Sequence, residues 1–314
     1  MNKKLTILYG IMLILILSAC GQTSSNDGKL AQKNKPGSEE PRIASLSIHL
    51  TNDLLALGIT PVGSVIGGEL KDFLPHVKDQ LKDTEKLGPV KDPDMEALIE
   101  LSPSVIYLDK EFSGQDVSKY EKIAPTHVFN LDEGTWRDHL KSVGKLVDRQ
   151  QQAEKFISDY EKQTKEVKDL IENKLGEGSK VMAMRVTAKE LRVFSTKRPM
   201  GPILFQDLGF KPANGVEDID KNLPYEVISQ EVLPDFDADA IFVIVNGDDE
   251  SQTAFKQLED TPIWKGLKAV KGKHVYVVPD QPWLDYSALG NKMAMDNRNL
   301  FQIIDRVIIV GLFL

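Results

Sequence analysis

The sequence predicts an α/β protein built from two similar lobes that are joined by one long helix. Strand and helix signals alternate from Ile43 onward, a long helical stretch interrupts this alternation, and short strings before the stretch reappear after it. The 314 residues suffice for about two domains, and 41% hydrophobic with 27% charged residues is typical of globular proteins. We therefore expect an N-terminal lobe at 43–147, a bridging helix at 148–178 and a C-terminal lobe at 179–296.

The first lobe is expected to alternate short strands with short helices. The predicted strands are 42–48, 61–67 and 104–108, the predicted helices are 51–59 and 92–103, and 119–130 reads as a helix followed by a strand. Thr51 or Asn52 is a suitable N-cap for the first helix. Asp92 is a suitable cap for the second helix, with Pro93 in its first turn.

The bridging segment contains no proline between 136 and 175 and carries apolar residues at helical spacing. We expect a break between Gly144 and Arg149, and then one continuous helix that ends near Leu175, before Gly176. A projecting coiled-coil arm is the alternative, although the apolar stripe is sparse for a sustained heptad repeat.

The second lobe is expected to open with a hairpin and to repeat features of the first. The hairpin strands are 180–187 and 190–196, helices are predicted at 201–210 and 229–234, and buried strands at 239–245 and 273–278. The string Leu-Gly-x-x-Pro occurs at both 57–61 and 208–212. Glu96 and Glu231 each lie in the first turn of a short helix that leads into a buried strand. This repetition indicates two related lobes.

The N-terminus reads as an export signal for a lipoprotein. Residues 1–19 combine two lysines, a thirteen-residue apolar run and small residues before Cys20, the one cysteine of the chain. The string L-S-A-C-G resembles the lipobox of bacterial lipoproteins, which implies that Cys20 becomes the lipid-bearing mature N-terminus, carrying palmitate or a similar chain. An ordinary secretory signal with an incidental cysteine is the alternative. Residues 20–42 are polar and are expected to form a flexible tether.

Composition and motifs exclude several classes of function. A net charge of −8 argues against general nucleic-acid binding, and one cysteine cannot form a disulfide within the chain. The five histidines are scattered, which disfavours a His-rich metal site. The sequence has no G-x-S-x-G, P-loop or G-x-G-x-x-G string, so no catalytic residues are expected.

Together these features resemble the ferric-siderophore, haem and cobalamin substrate-binding proteins of ABC importers. The resemblance rests on the lipobox, LALGITPVG, the block that begins at Met95-Glu96, the long helix, GPILFQDLGF and WLDYSALGNKM. It implies a ligand cleft between the lobes and an anionic ferric siderophore, of citrate or catecholate type, as the cargo. It further implies delivery to an ABC permease and its ATPase. The protein would be a monomer without catalysis or cofactor, lipid-anchored on the outer face of a Gram-positive cell membrane.

The resemblance also implies roles for particular side chains. An anionic chelate calls for cationic and aromatic groups rather than metal ligands. The candidates are Arg185, Lys91, Lys110, Arg198, Arg192, Trp283, Tyr286 and His49, with Arg185 first because it lies centrally in an apolar hairpin. Trp136 and Trp264 read as packing residues. Glu96 and Glu231 are expected to dock onto permease arginines, although an acid in a helix's first turn is favoured by the dipole alone.

Alternatives remain open at the level of the ligand and the tail. Haem is the alternative cargo, with Tyr286 as a possible axial ligand, and direct Mn or Zn binding would need more histidines than the well-placed His49. A structural adhesin is a third alternative. Residues 297–314 form an atypical apolar tail that departs from the family pattern. This tail is expected to be a packed element, an aggregation-prone segment or the product of a shifted reading frame.

Overall fold

A computed structural model of the chain describes residues 41–67, 71–112, 116–197, 199–220 and 223–296. Several predictions fall outside these ranges: the signal, Cys20, nearly all of the tether, Arg198 and the apolar tail.

The first lobe contains a parallel sheet whose strands are connected through helices. Within the described residues its five strands are β1 (Ile43–Leu46), β2 (Gly63–Ile66), β3 (Glu85–Pro89), β4 (Val105–Asp109) and β5 (Thr126–Phe129), in the order β3-β2-β1-β4-β5. The connecting helices are α1 (Ile48–Ala56), the 3-10 helix Lys78–Leu81, α2 (Met95–Leu101) and α3 (Ser118–Glu121). Because all neighbours pair in parallel, the carboxyl ends of the strands meet at one edge of the sheet.

The second lobe contains a mixed sheet. Its described strands are β6 (Lys180–Val186), β7 (Leu191–Phe194), β8 (Lys211–Pro212), β9 (Tyr225–Ile228), β10 (Ala240–Val245) and β11 (Val275–Val278), in the order β11-β10-β6-β7-β9 with β8 beside β6. The predicted hairpin is β6–β7, which pairs antiparallel. The helical segments are a π-helical turn Pro202–Asp207, the 3-10 helices Val216–Asp218 and Gln230–Phe236, α6 (Asp249–Asp260), α7 (Pro262–Gly266), α8 (Lys268–Lys271), α9 (Asp280–Trp283) and α10 (Ala288–Ala294).

The lobes are joined by α4 (Trp136–Leu146) and the long helix α5 (Gln150–Leu175). The break between them falls where the sequence predicts it: a Cβ at Gly144 would approach the Arg149 carbonyl oxygen at 3.2 Å and the Ala153 side chain at 3.1 Å. With 26 residues, α5 is about 39 Å long. No helix in the described ranges has both the length and the apolar character needed to cross a bilayer.

The buried face of α5 packs against both sheets, so the coiled-coil alternative is wrong. A single hydrophobic cluster contains Ile157 and Tyr160 of α5, Tyr107 of the first sheet, and Ala183 and Phe242 of the second. Each large apolar side chain buried in this way contributes about 1.5–3 kcal/mol relative to exposure. A wide separation of the lobes would expose this shared surface, which favours a nearly fixed arrangement.

The structure corrects two predicted caps. Helix α1 begins at Ile48 and is capped by Ser47, whose hydroxyl accepts the Leu50 N–H at 3.4 Å; Thr51 and Asn52 are buried within the helix. Helix α2 is capped by Asp94 rather than Asp92, because the Asp94 carboxylate accepts the backbone N–H groups of the next turn at 3.0 Å.

The repeated strings correspond to repeated structure. Gly58 and Gly209 both have a left-handed backbone, with φ of 76° and 70°, directly after a helical segment. The preceding residues, Leu57 and Leu208, are both buried. The second copy differs in helix type, because 202–207 is π-helical and 230–236 is 3-10 helical where ordinary helices were expected. The predicted two-lobe α/β fold is therefore confirmed, with local departures in the second lobe.

Candidate functional site

A cavity of about 200 Å³ lies between the two lobes. The first lobe lines it with residues after β5 and at the start of α4, namely Leu131, Asp132, Gly134, Thr135, Trp136 and His139. The second lobe lines it with Lys197, Pro202 and Gln206, and the C-terminal segment around α10 lines it with Tyr286 and Asn291. A larger groove of about 360 Å³ lies on the second lobe alone, around Leu233 and Lys268, so it does not use both lobes. The cavity between the lobes is therefore the candidate ligand site.

The first-lobe wall is set by the start of α4. The Thr135 hydroxyl and the Asp138 carboxylate form a reciprocal capping box, which fixes Trp136 as the first helical residue. The Trp136 indole packs edge-on against Tyr160, with ring centroids 4.8 Å apart. Nε2 of His139 lies 2.7 Å from the Glu133 carbonyl oxygen, which orients the imidazole beside the cavity. The first-lobe wall is thus aromatic, and its Trp136 and His139 rings are fixed by contacts with Tyr160 and Glu133.

An ion pair ties α4 to the second lobe beneath the cavity. Nη2 of Arg137 lies 2.9 Å from Oδ1 of Asp207, and the Tyr160 hydroxyl donates to Oδ2 of Asp207 at 2.7 Å. Burial, together with the nearby Asp207 charge, raises the pKa of Tyr160 well above its ordinary value, so the phenol remains a donor. This arrangement keeps the π-helical turn, and with it Gln206, against the start of α4.

A second polar cluster is centred on Asp285, in the segment between α9 and α10, where α10 packs beside α1. Its buried carboxylate accepts from Nδ1 of His49 at 3.2 Å and from Nε2 of His76 at 2.9 Å. It also accepts from the Asn52 side-chain amide at 2.7 Å and from the Ser287 N–H at 3.0 Å. We call His49, Asn52, His76 and Asp285 the Asp285 cluster. It brings first-lobe side chains onto a carboxylate of the second half.

A second buried carboxyl group, that of Asp53, also joins α1 to α10. Asp53 of α1 is buried and accepts the Ala288 N–H, the first of α10, at 2.8 Å. Burial, and secondarily the charge of Asp285, raise the pKa of Asp53 well above its ordinary value. Burial opposes ionisation of Asp285 as well, but the hydrogen bonds and positive charge of His49 and His76 hold the pKa of Asp285 well below its ordinary range. The two neighbouring carboxyl groups therefore have pKa values shifted in opposite directions.

Tyr286 links the Asp285 cluster to the cavity. Its ring stacks on the His49 imidazole, with centroids 3.4 Å apart and planes 28° from parallel. Tyr286 lines the cavity, whereas His49, with 17% of its side chain exposed, contacts Asp285 and Tyr286 behind it. Among the described residues, no three His, Cys, Asp or Glu side chains are arranged to hold a metal ion.

The structure separates the other candidate ligand residues. Arg185 and Arg192 lie directly opposite each other on β6 and β7, both half-buried. Nε of Arg185 donates to Asn246 at 2.7 Å, and Arg192 pairs with Glu190 at 2.7 Å and lies over the Tyr225 ring. Neither arginine lines the cavity.

Lys91 and Lys110 are exposed at the carboxyl edge of the first sheet and do not line the cavity. Lys110 follows β4, between the strands that lead to His49 and to Leu131. Lys91 follows the edge strand β3, about four strand spacings or ~19 Å from β5.

Trp283 is not a cleft residue, contrary to the expectation from its Pro-flanked loop. Its side chain is 1% exposed and packs against Phe242 with ring centroids 5.7 Å apart. Helix α9 turns the indole inward, under the second sheet, and leaves the following Tyr286 at the cavity. Trp264 packs on Phe255, as expected of a core residue.

Sequence reasoning missed several cavity and cluster residues. His139, Lys197 and Gln206 carry no motif, and their proximity depends on how the lobes meet. Asp285 lies inside the string W-L-D-Y-S, so its position could have been noted. Its partner His76 lies in a turn just before the 3-10 helix Lys78–Leu81, and no periodicity marks that position.

Glu96 and Glu231 occupy matching places on the two lobes. Both are exposed, and both lie in the first turn of a short helix after an edge strand, β3 or β9. A hydrogen bond from the Ser229 hydroxyl lowers the pKa of Glu231, which keeps it ionised.

Comparisons with known proteins give a consistent result. A family model described as "Periplasmic binding protein" matches residues 43–282. "Probable siderophore-binding lipoprotein YfiY" of Bacillus subtilis is 30% identical over 306 residues, covering 90% of this chain and 93% of the relative. The crystal structure of "Iron-uptake system-binding protein FeuA" from the same organism superposes with a TM-score of 0.70 at 27% identity, covering 82% of this chain and 94% of that one.

A third similarity concerns the fold. Staphylococcus aureus SirA complexed with staphyloferrin B superposes with a TM-score of 0.72 at 24% identity, over 85% of this chain and 94% of that chain. At this identity the match supports the architecture of two lobes around a long helix.

Proposed function

The chain belongs to the periplasmic binding protein family, and we propose that it captures a ferric siderophore outside the cell and delivers it to an ABC permease driven by an ATPase. Members of this family bind substrates for transporters and are not enzymes, so the expectation of no catalytic activity is confirmed. The bound molecule is cargo rather than a cofactor.

The observation that carries the proposal is the cavity between the lobes. Trp136 and Tyr286 line it with aromatic rings, and His139 of the first lobe and Lys197 of the second bring groups that can carry positive charge. A ferric siderophore surrounds its iron with its own oxygens and presents an anionic or polar surface, so aromatic and cationic contacts suffice to bind it. The cavity accepts part of such a ligand, with the remainder lying in the open cleft.

The arginine and lysine candidates that the structure describes lie outside the cavity lining, so their proposed contacts are with the part of the ligand that extends beyond the cavity. We propose that Arg185 contributes a bidentate contact to a chelator oxygen, with Arg192 beside it on β7. Lys110 and Arg198 are proposed as outer contacts of the cleft. Lys91 is the weakest candidate, because it follows the far edge strand of the first sheet.

The relatives differ in the chemical class of ferric chelate for which they are named. The relatives include proteins named for iron(3+)-hydroxamate and for Fe(3+)-citrate binding, at 28% and 25% identity. We propose an oxygen-ligated ferric chelate and retain citrate and catecholate types as the first choices, because cationic side chains favour an anionic ligand. Haem stays as the alternative that Tyr286 at the cavity allows.

A fluorescence titration tests the proposal. The full chain is titrated with ferric citrate, ferric staphyloferrin B, ferrioxamine B, a ferric catecholate and haem, and tryptophan emission is recorded. Trp136 lines the cavity, so a bound ferric chelate should quench it, whereas Trp136→Phe should lose most of the quenching. Saturable quenching by a ferric chelate is the expected result. Binding of haem alone, or of no iron complex, would contradict the proposal.

We also propose how the protein is positioned for delivery. Cys20 carries the lipid that holds the chain at the outer face of the membrane, and the globular lobes act as a monomer. Glu96 and Glu231, one on each lobe, dock onto cationic residues of the permease. Their matched placement on the two lobes supports this role.

A further inference from the structure

Asp285 is a charged group that cannot touch a ligand, because its side chain is fully buried. It nevertheless accepts hydrogen bonds from three first-lobe side chains, His49, Asn52 and His76. A buried carboxylate is costly unless it is fully hydrogen-bonded, and here that requirement is met only while the two halves stay together. The contact is therefore specific to one relative position of α1 and α10.

The cluster reaches the cavity through a ring stack. His49 is held by Asp285 on one side and stacks on Tyr286 on the other, at 3.4 Å between centroids. Tyr286 follows Asp285 directly in sequence, and the Ser287 N–H bonds the same carboxylate at 3.0 Å. The backbone before and after Tyr286 and the face of its ring are thus all fixed by Asp285 or by a partner of Asp285.

Helix α10 approaches Asp285 closely at Gly290. A Cβ placed on Gly290 of α10 would collide with both the backbone oxygen and the side chain of Asp285. The first turn of α10 therefore packs directly against Asp285, whose carboxylate is also hydrogen-bonded to His49 and His76.

We propose that Asp285 is a positioning residue for the ligand cavity: through His49 it holds the Tyr286 ring in the orientation that the ligand meets. This inference rests on the proposed function, because it assigns a role in the same site. His49, expected from the sequence to contact the ligand, acts here as the link between Asp285 and Tyr286.

The chain offers matched variants for a test. Asp285→Asn is isosteric but exchanges one acceptor oxygen for a donor, so one histidine loses its partner. His49→Ala removes the stack and leaves Asp285 bonded to His76 and Asn52, which keeps the test possible if Asp285→Asn folds poorly. Asp53→Asn is the control, since Asp53 joins the same two helices through the Ala288 N–H rather than through His49.

The first readout needs no ligand. The full chain, labelled with 3-fluorotyrosine, gives fluorine resonances for its seven tyrosines, and Tyr286→Phe identifies the one of interest. We expect the Tyr286 resonance to move or broaden in Asp285→Asn and in His49→Ala and to stay in place in Asp53→Asn. A resonance that is unchanged in both cluster variants would overturn the proposal.

The second readout is a double-mutant cycle with ferric citrate as the probe. Asp285→Asn should weaken binding about tenfold in the wild-type background and less than twofold when Tyr286 is already alanine. An equal loss in both backgrounds would indicate a general structural role and overturn the assignment. If wild type itself binds no ferric citrate, citrate fails as the proposed cargo, while the fluorine resonances still decide the role of Asp285.

Discussion

Asp53 and Asp285 show how one buried contact shifts the pKa values of two carboxyl groups in opposite directions. Asp285 is ionised because two histidines and an amide donate to it. Burial and the adjacent Asp285 charge raise the pKa of Asp53, which has one backbone donor, Ala288 N–H. The folded state therefore holds the Asp53 proton more tightly than the unfolded chain does.

The raised pKa of Asp53 predicts a pH-dependent gain in stability for Asp53→Asn. Stability from a raised carboxyl pKa is complete below the unfolded value of 3.8 and is lost as the pH rises toward the folded value. Asparagine keeps the acceptor for Ala288 N–H but has no proton to lose. Relative to wild type, the variant should gain more than about 1 kcal/mol in unfolding free energy between pH 4 and pH 7, at roughly 1.4 kcal/mol per unit of pKa shift.

Urea unfolding at the two pH values measures this difference. Asp138→Asn serves as the control, because hydrogen bonds from Thr135 lower the pKa of this exposed carboxylate, so its sign is opposite. A difference between Asp53→Asn and wild type that does not change with pH would show that Asp53 is ionised in the folded state.

The positions of some candidate residues follow from local sequence signals, whereas the positions of others depend on tertiary packing. Arg185 lies opposite Arg192 because the register of the β6–β7 hairpin places it there. Tyr286 lines the cavity, as the string WLDYSALGNKM indicated. Trp283 does not line the cavity, because helix α9 directs its side chain into the core. Side-chain direction within an irregular loop is set by tertiary packing, which the residue types alone do not encode.

At the scale of single elements, the two glutamate-bearing helices are the clearest repeated feature. Glu96→Ala and Glu231→Ala should each slow iron uptake severalfold in cells while the purified variants bind ferric chelate as wild type does, because both residues are exposed and lie outside the cavity lining. The measurement is uptake of radiolabelled ferric chelate beside a binding titration.

Matched controls lie on the same two helical segments. Glu100 is exposed in the last turn of α2 and Asp235 is exposed near the end of the 3-10 helix, so their alanine variants should transport normally. Loss of chelate affinity in Glu96→Ala or Glu231→Ala would instead make them binding or folding residues, and uptake at wild-type rates would remove the docking role.

Elements were predictable wherever a local signal was strong. The hairpin, the buried strands and the break before α5 follow from alternation, apolar runs and Gly144. Caps and helix types were less predictable, because Ser47 and Asp94 compete with nearby polar residues that satisfy the same capping rule. The choice among them depends on where the preceding strand or turn ends.

At the scale of the whole molecule, the lobes share the α5 core and polar contacts that include Arg137 with Asp207, and α10 is joined to α1 through the Asp285 cluster and Asp53. The sequence predicts the two lobes and the helix because each is a local pattern. The cavity is not predictable in the same way, since its walls come from positions about 150 residues apart, such as Trp136 and Tyr286. No local sequence pattern indicates that two such distant positions lie close together in the fold.

The tether predicts that anchoring and binding are separable. Cys20→Ala should release the protein from membranes while the released chain binds ferric chelate with unchanged affinity, since the cavity-lining residues named above lie between positions 131 and 291, far along the chain from Cys20. Fractionation after a carbonate wash, followed by titration of the released protein, measures both. A variant that stays in the membrane fraction would contradict lipid attachment at Cys20.

The central claim is that a ferric siderophore binds in the cavity between the lobes, and equilibrium dialysis with a cavity-blocking variant tests it most directly. Gln206 lines the cavity and is exposed, so Gln206→Trp should fill the space, whereas Gln257→Trp places the same bulk on the exposed face of α6. With a radiolabelled ferric siderophore, the account predicts one equivalent bound to wild type and to Gln257→Trp, and at least tenfold weaker binding to Gln206→Trp. Equal binding by all three proteins, or binding by none, would contradict it.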